Sequence, residues 1–505
     1  MSANHAPDDV TAAPSGLRRE LKMTDAAAFS VGLIGPVGGM ALLGVGAAGL
    51  LGGGATWAFV FSILGVSLVA YGFVQLSRHI AHTGSVYALV GRTIGPRAGF
   101  VAGCALFAAY AMISTGAIIE IPLFFNKVLS GIHLIGGATE WIWTVLVALA
   151  LVVVLSLSKI RVITRVLLVC ELVGAVLVTV LSVVILVRAG IGQAPAGQKL
   201  TWSFLHLPAH SGVGTIAGAA VFGFLAFAGF EGSVTLGEET VNPKRAIPRA
   251  LQISIVLSGL FFLLTIIAQS VGYGSSAAGV GMFAAAHDPY GDLGGAYIGT
   301  AMGVLLDFIA SISLFAIVLG TINAAGRVGY ALIRDAGVRG PAARLSRRGA
   351  PIGTIVVACV LVLCFTVGQR LAGTSDITAA FYWLTIGTIA LLVAYAMATV
   401  GALRFLFLNG PPKAPRWQAV IPVLALAFVV YTVYKNIVGV AGPYRVFPYI
   451  ILGVLAVGTV VVSAVPGLVD RIRARIDEDS HDGGDDHNEQ EGPESAAPRR
   501  LPVGS

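Results

Sequence analysis

The sequence predicts an all-α integral membrane protein with twelve transmembrane helices, set out as two inverted five-helix units with helices 1 and 6 discontinuous, plus two extra C-terminal helices. Three observations carry this. Only 11% of the 505 residues are charged and 56% are hydrophobic, whereas a soluble domain averages about 25% charged residues and needs them to face water. The apolar residues gather in twelve runs, near 26–49, 54–76, 97–127, 141–158, 163–187, 213–236, 250–272, 296–326, 352–368, 377–405, 417–435 and 445–467, each long enough for a span of about 20 residues. The first and sixth runs are broken in their middles, which puts an interrupted helix at the head of each five-helix unit.

The net charge of +7 does not point to nucleic acid, because the basic residues sit in short clusters between apolar runs, as a membrane topology requires. With the N-terminus inside, six of the 32 Lys and Arg residues fall outside, namely Lys127, Arg188, Lys199, Arg370, Lys435 and Arg445. An odd number of helices would spoil this alternation. The expected location is the plasma (inner) membrane, multi-pass, with both termini cytoplasmic and the lipid bilayer as the surrounding partner.

Residues 1–22 are small and polar, contain Pro7 and Pro14, and end in Arg18, Arg19 and Lys22, so a disordered cytoplasmic leader is expected. Thr24 is the expected cap of the first helix. A transporter domain over 23–470 follows, with repeats at about 23–190 and 210–406 and helices 11 and 12 at about 415–468. A disordered acidic tail is expected over 471–505. The first run is long enough to span, so it does not read as a cleavable signal peptide. Cys104, Cys170, Cys359 and Cys364 all lie in apolar runs, where a thiol behaves as a small hydrophobe. Neither a disulfide framework, a metal site nor a cofactor is expected.

The first break reads Ile34-Gly35-Pro36-Val37-Gly38-Gly39, with a proline among glycines at bilayer depth. The sixth run, 213–236, holds Gly223, Gly229 and Gly232 with Glu231 among them. Freed amides at a half-helix N-terminus suit a substrate carboxylate, and freed carbonyls suit an ammonium. Helix packing is the plain alternative for these glycines. Gly44-Val-Gly46-Ala-Ala-Gly49 fits the dinucleotide fingerprint in letters, but no strand precedes it, so close packing through small residues is the better reading. Gly99 and Gly103 read the same way.

Four acidic side chains lie within spans: Glu120, Glu171, Glu231 and Asp307. A charged carboxylate in hydrocarbon costs several kcal/mol, so each is a candidate proton carrier or a carboxyl held neutral between helices. Glu231 lies beside the break, Glu120 lies toward the outer end of span 3, and Asp307 shares span 8 with Ser311 and Ser313. Phe222, Phe224, Phe227 and Phe230 recur at roughly helical spacing, a packing pattern from which one ring could cover a substrate. The nine histidines lie almost wholly in loops and tails; with no clustered nucleophile, base or metal site in the spans, the chain does not read as an enzyme.

Ala226-Phe-Ala-Gly-Phe-Glu231, followed by Glu238, Glu239, Asn242-Pro243, Arg245, Ile247-Pro248-Arg249-Ala250, resembles helix 6 and its following loop in the amino acid, polyamine and organocation (APC) permeases. Thr83-Gly84-Ser85-Val86-Tyr87 with Gly95 and Gly103 resembles the segment before helix 3 of that family. Asn323, Arg327, Tyr330-Ala331 and Arg334-Asp335 resemble the end of helix 8. The resemblance runs over roughly residues 22–470 and implies the leucine-transporter fold, alternating access, and substrates bearing an amine and often a carboxylate. It implies that the amides of Gly35, Pro36, Val37, Gly38 and Gly39 form the carboxylate cradle. It also implies that the amine meets carbonyls around Phe224, Leu225, Ala226, Phe227 and Gly229, and that Glu231 serves gating or coupling. Three departures stand out. Helix 1 carries Gly-Pro-Val-Gly-Gly where many members show G-S-G or G-A-G, Leu225 stands where some place a large aromatic gate, and Glu171 falls near a lysine position.

The resulting expectation is a secondary active transporter for an amino acid or related amine, with a proton, or else sodium, as coupling ion. Glu231, Glu171, Asp307, Ser311 and Glu120 are its coupling and gating candidates. An exchanger and a polyamine permease use the same parts and stay open. A non-transporting membrane sensor would bind the same ligand without flux. The oligomeric state is open.

Overall fold

The computed structural model describes residues 20–80, 86–133, 140–156, 160–209, 211–237, 239–346, 350–438, 440 and 442–481. The expectations for the leader up to residue 19, for Thr83-Gly84-Ser85, for Glu238 and for the tail beyond His481 lie outside the described residues.

The first apolar run folds as α1 (Met23–Ile34) and α2 (Pro36–Leu51), which meet at Gly35. Gly35 adopts a left-handed conformation, φ 55° and ψ 61°, which costs an L-residue with a Cβ about 1–2 kcal/mol. Space forbids a side chain there too, since a Cβ would lie 2.0 Å from Ile317 Cγ1. Pro36 then begins α2 at the position where a missing N–H costs no helical bond. The first helix starts two residues earlier than the sequence expectation: Lys22 is the capping position, and its N–H donates to the Asp25 carboxylate at 2.9 Å. Thr24 is therefore inside the first turn.

A single tight turn, Gly52–Ala55, leads into α3 (Thr56–His79), and α4 (Val86–Thr93), α5 (Pro96–Gly131), α6 (Trp141–Ser156) and α7 (Ile160–Gly190) follow. The sixth run gives α8 (Val213–Ala226) and, after a bend of 40°, the 3-10 helix Phe230–Leu236. Then come α9 (Pro243–Tyr273), two short helices α10 (Ala277–Ala284) and α11 (Pro289–Tyr297), and α12 (Thr300–Asp335). The remainder is α13 (Ile352–Leu371), α14 (Asp376–Leu403), α15 (Val420–Ile437), α16 (Phe447–Ala464) and α17 (Leu468–His481). The stretch from 471, expected as tail, thus opens as a helix. Among the described residues, nine helical stretches are long and apolar enough to cross a membrane, or ten with the bent pair counted as one. One of the nine, Met23–His79, has 57 residues and contains α1, α2 and α3.

Long helices in short connection alternate in direction. The end where α1 begins is called the near end below, and the opposite one the far end. At the centre lies α5, packed along α12 and α14. Glycines permit the close approach: a Cβ on Gly116 would meet Leu384 Cγ at 2.5 Å, and one on Gly387 would meet Ile113 Cγ1 at 2.7 Å. Gly44 and Gly46 of the G-x-G-x-x-G match likewise lie against Gln269 and the Phe222 ring, while Gly49 faces open space. The outer faces carry exposed apolar side chains such as Leu151, Leu172, Val176, Leu260, Val360 and Val457, a surface suited to lipid rather than water.

Gly35→Ala is expected to lower stability by the left-handed penalty of about 1–2 kcal/mol plus about 1–3 kcal/mol for displacing Ile317. Melting of the purified protein in detergent reads this directly. The double variant Gly35→Ala with Ile317→Ala should recover less than the whole loss, because the backbone strain stays. A single variant that melts like wild type would show that the break does not depend on glycine.

Candidate substrate site

The two helix breaks lie against each other. Leu33 of α1 packs over Gly229 and Gly232, where a Cβ would come within 2.6 Å of its side chain, and Gly229 itself is left-handed at φ 101°. Ser30 ties the two: its hydroxyl donates to Phe230 O at 3.0 Å and accepts from Ser233 N at 2.8 Å. On the α8 side the chain tightens into three-residue turns, with Phe227 N donating to Phe224 O, Ala228 N to Leu225 O and Phe230 N to Phe227 O. Ala226 faces Gly39 across the gap. The sequence-expected residues Gly35 to Gly39 and Phe224 to Gly229 are therefore brought to one place.

At the start of α2 the first-turn amides have no helical partner, and side chains from two other helices take them. Val37 N donates to Glu171 Oε2 at 3.4 Å, and Gly38 N donates to Ser313 Oγ at 2.7 Å. Ser313 in turn donates to Glu171 Oε1 at 2.5 Å. Glu171 is 2% exposed and accepts on both oxygens, as an ionised carboxylate does. A negative charge at a helix N-terminus is favourable. The rest of the loop is also satisfied, with Gly35 N bonded to Val31 O and Gly39 N to Gly35 O. From α11, the 1% exposed Tyr290 comes close to Glu171; burial and that carboxylate push its phenol well above the usual range. The Tyr290 hydroxyl has no hydrogen-bond partner among the described residues.

Glu231 lies at the second break, fully buried between two tyrosines. Tyr110 of α5 donates to its Oε1 at 2.6 Å and Tyr395 of α14 to its Oε2. The aromatic set around it is packing: Phe230 contacts Phe73 and Tyr395, Phe227 contacts Phe262 and Phe224 contacts Phe428. Of the four candidate rings, Phe222 lines a cavity of about 540 Å³ at the far end. That cavity is bounded by Val45, Gly46, Gly49 and Leu50 of α2, Gly218, Val221 and Phe222 of α8, His287, and Phe381 and Thr385 of α14. Glu171, Ser313 and Glu231 are not in its wall.

Asp307 belongs to a different constellation. Its carboxylate and that of Asp288 converge over Gly291, where a Cβ would stand 2.1 Å from Asp288 Oδ2 and 2.8 Å from Asp307 Oδ1. Lys127 holds Asp288 at 2.7 Å, and Asp288 also caps α11 by accepting from Gly291 N at 2.9 Å. Ser311 bonds back to Asp307 O at 2.9 Å within its own helix. Glu120 is 4% exposed, and its Oε1 has no partner among the described residues. The structure thus joins Glu171 to the first break and Glu231 to the second, and sets Asp307, Ser311 and Glu120 apart from both breaks. Tyr110, Tyr395, Tyr290 and the Lys127–Asp288 pair were not singled out in the sequence. Asp288-Pro289, an acidic cap before a helix-starting proline, was the one local signal for them.

The near end is closed. Arg327 Nε meets Glu239 Oε1 at 2.7 Å with both side chains under 10% exposed, and the guanidinium stands 5.8 Å from the Phe29 ring centre. The chain before α1 pairs with the same segment, Leu21 N donating to Glu239 O at 3.0 Å and Val241 N to Leu21 O at 2.8 Å.

The sequence pattern of the family described as amino acid permease matches residues 28–434. Three curated proteins are similar over parts of the chain. The branched-chain amino acid permease BcaP of Bacillus subtilis is 26% identical over 266 residues, 50% of this chain and 56% of that protein. The low-affinity putrescine importer PlaP of Escherichia coli is 24% identical over 215 residues, 43% of this chain and 46% of that one. In both, the match spans about half of the relative's length. BcaP of Lactococcus lactis is 24% identical over 395 residues, 74% of this chain and 81% of that protein. A crystal structure of a mutant Eremococcus coleocola manganese transporter is similar in fold, with a TM-score of 0.55 at 13% identity, covering 90% of this chain and 94% of that one.

Removing one partner of a buried ion pair leaves an uncompensated charge, at a cost of about 3–5 kcal/mol, whereas replacing both by apolar residues is often neutral. Arg327→Met is accordingly expected to lower the melting temperature steeply, and Arg327→Met with Glu239→Leu to recover most of it. A single variant as stable as wild type would show that the latch contributes nothing to the closed near end.

Proposed function

The chain belongs to the amino acid permease family, and from that premise we propose that it is a secondary active transporter that moves an amino acid or related amine by alternating access, with proton-coupled uptake. One observation carries the reading: two interrupted helices meet in the middle of the bundle with a buried carboxylate at each break, Glu171 and Glu231. Interrupted helices that meet at mid-membrane are where transporters of this architecture hold solute and coupling ion. The closed near end and the far-end cavity support alternation between two openings. The two kinds of relative, branched-chain amino acid permeases and a putrescine importer, support a solute with an amino group.

The reading takes twelve crossings: α1 with α2 and α8 with its 3-10 continuation as one each, then α3, α5, α6, α7, α9, α12, α13, α14, α15 and α16. α1 to α7 and α8 to α14 form the two inverted five-helix units. The near end, rich in Lys and Arg, faces the cytoplasm across the plasma membrane. The buried Glu231, held by two hydroxyls rather than by a cation, suits reversible protonation better than sodium binding.

Reconstitution into liposomes tests this. Uptake of at least one labelled solute from an amino acid and amine panel should rise under an inward proton gradient. In Glu231→Gln the gradient-dependent part should fall at least about tenfold, equivalent to about 1.4 kcal/mol. Uptake indifferent to the gradient but dependent on internal solute would make the protein an exchanger. Binding without flux would make it a sensor.

A further inference from the structure

We propose that the break between α1 and α2 receives an amine that carries no carboxylate, with Glu171 as its counter-charge. The inference deepens the transporter reading and rests on it for passage across the membrane, though not for binding.

The argument is an account of donors. A substrate carboxylate held at this break needs free N–H groups, and the loop has none to offer. Pro36 has no N–H; Val37 and Gly38 donate to Glu171 and Ser313; Gly35 and Gly39 donate to carbonyls of the chain. An internal carboxylate already stands where a ligand's would stand. A second one brought beside it would find no donor and would face like charge, which two buried carboxylates tolerate only if one takes up a proton.

An ammonium meets the opposite conditions. Among the described residues Glu171 forms no ion pair, and its hydrogen-bond donors are one serine hydroxyl and one backbone amide. A buried charge without a counter-ion is costly, and a ligand's ammonium would supply the counter-ion that Glu171 lacks among the described residues. Glu171 uses two of roughly four acceptor positions. The partnerless, 1% exposed Tyr290 hydroxyl, within electrostatic reach of Glu171, adds a further acceptor, contributed by the short far-end helix α11. A buried phenol without a partner is uncommon in a finished core, and a ligand N–H would satisfy it. The same ammonium would therefore close the charge balance of Glu171 and the hydrogen-bond balance of Tyr290.

The test compares matched pairs: leucine with isopentylamine, and ornithine with 1,4-diaminobutane. Thermal stabilisation of the purified full-length protein is the readout, so the result does not depend on flux. The amine of at least one pair should stabilise at a concentration at least about tenfold below its amino acid. Glu171→Gln, near in shape, should abolish that preference. Tyr290→Phe, which removes a hydroxyl that has no partner to lose, should weaken the amine several-fold at an unchanged melting temperature without ligand. The proposal is overturned if the amino acid of both pairs stabilises at or below the concentration of its amine, or if Glu171→Gln keeps the preference. It is equally overturned if no amine stabilises, or if sodium chloride stabilises over potassium chloride while amines do not. Each of these results leaves the transporter reading to be decided by uptake alone.

Discussion

The bonds from Val37 and Gly38 to Glu171 and Ser313 are the interaction on which the centre of this molecule depends. Within a bilayer no water is at hand to satisfy a backbone group released by a break, so an interrupted helix exists only where other protein groups take over. Here the takeover is done by α7 and α12, which fixes both against α2. The second break is satisfied the same way, through Ser30 of α1. Each interruption is therefore held by a side chain from elsewhere in the chain. Such partners can be exchanged for ligand groups without unwinding anything, which an ordinary helical hydrogen bond does not allow.

The buried carboxylates differ by what neutralises them, and the differences follow position. Glu239 has Arg327 and belongs to the near-end latch; Asp288 has Lys127 and belongs to the far-end cluster with Asp307. The two ion-paired sites lie toward opposite ends of the bundle. Glu231 and Glu171, in the middle, have hydroxyls and amides only. Ion pairs thus hold the ends and neutral donors hold the centre.

What could be read from the sequence was what is written locally. Gly35-Pro36 announces its own break, and the apolar runs announce their helices. Even Glu231 stands among the glycines that mark its surroundings. What could not be read was every partner brought in by tertiary packing: Tyr110 and Tyr395 come to Glu231 from 121 and 164 residues away. Tyrosine within an apolar run carries no periodicity that distinguishes a donor from a packing ring. Ser313 and Ser311 look alike in sequence, yet one turns to Glu171 and the other back onto its own helix. Asp307 looked like part of a path through α12 because its neighbours in sequence are serines; its neighbour in space, Asp288, arrives from the connection between α10 and α11. Thr24 is not the cap because the helix begins earlier, where the Asp25 carboxylate accepts from the Lys22 N–H.

Pro36 and Glu171 appear unrelated in the sequence, one a break in the first run and the other an acid in the fifth. In the structure they act on the same few atoms. Serine, alanine or glycine at 36 would place one more N–H at the mouth of α2, and lysine at 171 would leave the amide of Val37 without its acceptor. Proline takes a donor away and glutamate occupies the donors that stay. Both substitutions lower the capacity of the break to hold an anion and neither lowers its capacity to hold a cation. A helix N-terminus is an anion site by default, and here a proline and an internal carboxylate both reduce that capacity at one place.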